Sequence, residues 1–152
     1  NRRMDAAPIP VTPSTYHQEK LVMNTMSEQA IFDEIARNDL HFSKAPQAFF
    51  HAWKRGVELV GPGLFGNGTR ECLDLAVDKW YLCPNVAHIK KSIGAMSSGE
   101  RVFLAAMVSF YNSKDGGALL KRVGVHGLAD LGGLDIERRK IIAALILNYT
   151  GW

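Results

Sequence analysis

The chain has 152 residues, enough for one domain with a real core. Hydrophobic residues make up 47% and charged residues 22%, which excludes a disordered chain. No apolar run approaches the ~18 residues that cross a bilayer, so no membrane partner is expected. The net charge of +3 is unevenly spread: from Ile89 to Trp152 nine Lys and Arg face five Asp and Glu, while residues 1–88 carry nine against ten. The basic C-terminal part favours an anionic partner.

Residues 1–12 hold Pro8 and Pro10 among small residues, with Pro13 just beyond, and read as an extended or disordered lead-in. They contain no apolar core of a signal peptide. Residues 13–152 read as one helical domain. Ser14 or Thr15 can cap a helix through about Met26. Ser27 can cap a second, with Ile31, Ile35 and Phe32 on its inner face. Ser43 can cap a third, in which Phe49, Phe50, Trp53 and Val57 recur at three- and four-residue steps, with Pro46 in its first turn and Gly61 at its end.

Gly61-Pro62-Gly63-Leu64-Phe65-Gly66 fits G-x-G-x-x-G, the glycine pattern of dinucleotide sites. That chemistry needs a strand before the turn and a helix after it. Here "AFFHAWKRGVELV" has helical spacing, so the loop joins two helices and no βαβ unit surrounds it. Gly66-Asn67-Gly68 reads as turn chemistry. Leu64 and Phe65 are expected to tuck onto the body.

Thr69 can cap one helix over "RECLDLAVDKWYL", with Leu73, Val77 and Trp80 in register. Pro84 interrupts the chain. A short helix follows, with Val86, Ile89 and Ile93 aligned. Ser97 or Ser98 precedes "GERVFLAAMVSFYN". "SKDGG" reads as a turn, "ALLKRVG" as one or two helical turns ended by Gly124, and "HGLADL" as another. Asp135 caps "IERRKIIAALILNY". The fold class is therefore all-α: about seven or eight short-to-medium helices, with a buried C-terminal helical pair.

No catalytic residue, cofactor or metal site is signalled. Cys72, Cys83 and the scattered histidines lack ligand spacing. Two cysteines are too few for a disulfide framework, and the default compartment is the cytoplasm. One local rule is broken. Arg138, Arg139 and Lys140 stand in the first turns of a helix, against its dipole. With Lys121, Arg122 and His126 shortly upstream, they are the candidate anion- or nucleic-acid-binding residues. A helix-turn-helix does not fit, because the second helix runs straight into "IIAALIL".

The first functional reading is a non-catalytic helical interaction or regulatory module that binds another macromolecule, a protein or a second copy of itself. The alternative is a nucleic-acid-binding accessory protein using the basic C-terminal patch. A third is an enzyme whose active site no motif announces.

Overall fold

In the computed structural model, which describes residues 27–152, the Ser27 hydroxyl accepts a hydrogen bond from the Ala30 amide at 3.2 Å and opens the first helix. The lead-in and the helix expected before Met26 lie outside the described residues. Helix α1 (Glu28–Val60) is followed by a 3-10 turn (Pro62–Leu64), α2 (Arg70–Leu75) and a second 3-10 turn (Lys79–Leu82). Next come α3 (Val86–Ser92), a turn at Ile93–Ala95, α4 (Ser98–Tyr111) and α5 (Ser113–Arg122). A 3-10 segment (Leu128–Gly133) leads into α6 (Ile136–Asn148). Among the described residues there is no strand, only one isolated bridge between Phe65 and Pro84. The fold is all-α.

Contacts divide the chain into two units, Asn1–Leu40 and His41–Trp152. In the first, Ile31, Phe32 and Ile35 are exposed by 46%, 65% and 50%. This corrects their expected inward face. The stripe has the right helical spacing, but burial along α1 begins only at Ala45.

The two helices expected from Ser27 and Ser43 are one. Nothing between them adopts the left-handed conformation that ends a helix. Pro46 therefore sits inside α1 rather than in a first turn. It withholds one N–H from the ladder and does not stop the helix. From there Phe49, Phe50, Trp53 and Val57 are buried, as their spacing predicts. Gly61 closes the helix at φ 107°, its amide bound to the Val57 carbonyl.

The glycine loop then folds as a loop between helices. Leu64 and Phe65 are buried, and Gly66 and Gly68 have φ of 56° and 81°. Thr69 caps α2 by accepting from the Cys72 amide. The helix stops at Leu75, well short of the expected end. Asp78 offers its carboxylate to the Trp80 amide at 2.9 Å, a local bond that competes with the helix and starts the next 3-10 turn. Leu73 stays buried, whereas Val77 and Trp80 are exposed.

Helix α4 is the centre of this unit. Ser97 and Glu100 form a reciprocal capping box at its start, and Phe103 to Val108 are all buried. "SKDGG" is not a turn but the beginning of α5. Asn112 ends α4 and caps α5 by accepting from the Asp115 amide at 3.0 Å. Gly116 is there for a close approach: a Cβ on it would lie 2.2 Å from the Ser109 Cα. Helix α6, capped by Asp135, adds Ile141, Ile142 and Leu145 to the core.

The end of the chain is held by aromatic packing. Trp152 meets Trp53 at 4.7 Å and Tyr111 at 5.1 Å between ring centroids. Lys79 lies over the Trp152 and Phe49 rings at 5.0 and 5.4 Å and donates to the Gly151 carbonyl. Burial pulls its ammonium below the usual lysine range. Among the described residues, no helix is long and apolar enough to cross a membrane.

Candidate docking groove

Helices α4, α5 and α6 leave an apolar groove along one side. Phe110 comes from α4, Gly117 and Leu120 from α5, Leu128 and Leu131 from the 3-10 segment, and Ile142 and Ile146 from α6. The cavity measures about 440 Å³. Ile142 and Ile146 are four apart and share one face of α6. Leu128 is 82% exposed and Ile146 57%. A Cβ built on Gly117 would meet nothing within 4 Å, so the groove is open above that backbone.

Helix α5 carries two lysines a turn either side of Gly117. Lys114 and Lys121 stand three residues before and four after Gly117, on the same face of α5. Both are exposed, and among the described residues neither is in an ion pair. The carboxylates of this part of the chain are engaged. Asp115 pairs with Lys90 at 2.7 Å, and Glu137 pairs with Arg55. Asp130 accepts the amides of His126 and Gly127 at 2.8 and 3.1 Å. Asp135 accepts the Arg138 amide at 2.9 Å and pairs with its guanidinium. Those amide bonds hold the Asp130 and Asp135 carboxyls below the usual range.

The six residues singled out from sequence do not form one hydrogen-bonded set. Arg138 lies over the Phe103 ring at 5.8 Å while it pairs with Asp135. Arg139 donates to the carbonyls of Leu134, at 2.7 Å, and Gly132, fastening the turn before its own helix. Arg122 donates to the Lys90 carbonyl at 2.7 Å, tying α5 to α3. Lys140 and Lys121 are exposed. His126 lines the groove. From the sequence, the docking surface is expected along Phe103, Val108, Ile142 or Leu145; all four are buried, and only Ile142 of them lines the groove. The available signal was Leu128, a large apolar side chain in a glycine-rich connection.

A second cleft, of about 520 Å³, is lined by His51, Lys54, Arg55, Glu58, Leu59 and Glu137. Its charges cancel locally, since Arg55 pairs with Glu137, Glu58 with Arg70, and Lys54 reaches the Asp74 carbonyl. Among the described residues, no three His, Cys, Asp or Glu side chains converge as a metal site. Cys72 and Cys83 are both free thiols, and burial pushes the Cys83 thiol up.

Compared with protein-family models, curated proteins and solved structures, the chain matches none.

Proposed function

We propose that the chain is a non-catalytic helical interaction module. Its groove between α4, α5 and α6 takes the apolar face of an acidic amphipathic helix from a protein partner. One observation carries the reading: an apolar cavity of about 440 Å³, with Leu128 82% exposed at its lip; Lys114 and Lys121 stand a turn either side of its Gly117 on α5. Covering an exposed leucine or isoleucine fully contributes about 1.5–3 kcal/mol each. The lysines add orientation and a faster encounter more than raw affinity. Helix-in-groove recognition uses this division of labour, with apolar anchors a turn apart and charges at the edge.

The test is fluorescence anisotropy of the full chain against a synthetic helix with leucines at i and i+4 and glutamates between. Leu128→Asp puts a charge in the groove, and Gly117→Leu fills it without touching the core. Both should weaken binding about tenfold or more. Added salt should weaken it modestly, because few charges are involved. A labelled oligonucleotide forms the control arm. If the oligonucleotide binds and the peptide does not, or if both variants bind the peptide like the parent, the reading is wrong.

A further inference from the structure

Helix α1 carries acidic and apolar side chains in the same stretch. Between Glu28 and Leu40 there are four carboxylates, Glu28, Asp33, Glu34 and Asp39, against Arg37. Within that span Ile31, Phe32 and Ile35 are exposed. Ile31 and Ile35 are one turn apart on the same side of the helix, with Phe32 beside them. The segment thus has the features asked of the groove's occupant: apolar anchors a turn apart, negative charge around them, and a helix already formed. The groove has the converse features: an apolar floor, with Lys114 and Lys121 a turn either side of its Gly117 on α5 and, among the described residues, in no ion pair.

We infer that the occupant of the groove is residues 28–40 of a second copy of this chain. The inference rests on the proposed reading of the groove and names its partner. The two surfaces are different, so the contact is head-to-tail. Each copy that docks its helix keeps its own groove free for the next. Such a contact closes into a ring, the smallest being a pair in which each copy docks its helix in the other's groove, or extends into an open chain. Because the helix is formed before docking, little ordering opposes association.

Sedimentation velocity across a concentration series tests this with the full chain. The parent should associate to dimers or larger species as concentration rises, and less so in high salt. Ile35→Asp on the helix and Leu128→Asp in the groove should each give monomers. Mixed in equal amounts, the two variants retain one intact helix and one intact groove between them. The mixture should form a 1:1 dimer and go no further.

Ile35 and Leu128 are both exposed, and unchanged circular dichroism of the two variants confirms the fold. A charge exchange provides the independent check. Glu34→Lys with Asp39→Lys should lower association, and adding Lys114→Glu with Lys121→Glu in the partner should restore it. If the parent stays monomeric but still binds the synthetic peptide through Leu128, the self-association inference falls and the groove reading stands. If it neither associates nor binds peptide, both fall. A parent dimer that the mixed variants cannot re-form means a symmetric contact, and overturns the inference.

Discussion

Replacing Gly116 by alanine adds one carbon 2.2 Å from the Ser109 Cα, 2.4 Å from its N and 2.7 Å from its Cβ. Ordinary van der Waals contact begins near 3.4 Å, so the α4 and α5 backbones must part by about 1 Å there. The clash is with main chain, and no side chain can rotate away from it. Overpacking of this kind costs about 1–3 kcal/mol. Alanine offsets up to about 1 kcal/mol by its better helix propensity. With that offset the net loss is up to about 2 kcal/mol, or a fall in Tm of up to roughly 10 °C for a unit of this size. Gly117 supplies the control. It sits in the same helix, and its added carbon would meet nothing within 4 Å. Gly117→Ala should therefore stabilise by up to about 1 kcal/mol. Thermal and urea unfolding, followed by far-ultraviolet circular dichroism, read both. Equal effects from the two substitutions would refute the close packing of α4 on α5 at Gly116.

Three further outcomes are expected. The Glu100, Asp130 and Asp135 carboxyls are held below their ordinary values of 4.5, 3.8 and 3.8, chiefly by the amides they accept. Their stabilisation is complete above those ordinary values and is lost as pH falls through the lower folded ones. Tm should therefore be flat down to about pH 5 and fall below it, with a shallower fall in Glu100→Gln/Asp135→Asn; an unchanged slope would contradict the assignment. Trp53 donates its indole N–H to the buried Leu82 carbonyl at 2.9 Å, so Trp53→Phe should cost about 1–3 kcal/mol in urea unfolding. Arg139→Ala should lower Tm, because the Leu134 and Gly132 carbonyls lose their donor, whereas Lys140→Ala should stay within about 0.5 kcal/mol of the parent. Matching effects at the two positions would show that the turn before α6 is not fastened by Arg139.

What the sequence determined by itself lies within a few residues of each signal. Thr69, Ser97 and Asp135 cap helices where they were expected to, since a cap and the amide it accepts are three residues apart. Gly61 and Gly124 end helices because only glycine takes positive φ at little cost. The tertiary structure decided whatever depends on distant partners. Asp78 and the packing around Trp152 ended a helix that periodicity alone extends through Trp80. Gly116 reads as a turn residue until Ser109 is set against it. Arg138 and Arg139 look like unpaired cations until Phe103, Asp135 and the Leu134 carbonyl meet them. The groove was the least legible feature. Phe110, Leu120, Ile142 and Ile146 are helical apolar positions in the sequence, and only the packing of α4, α5 and α6 determines which of them a neighbour covers. Backbone hydrogen bonds and caps are short-range and stereochemically specific, whereas burial is a property of surfaces brought together by the whole fold.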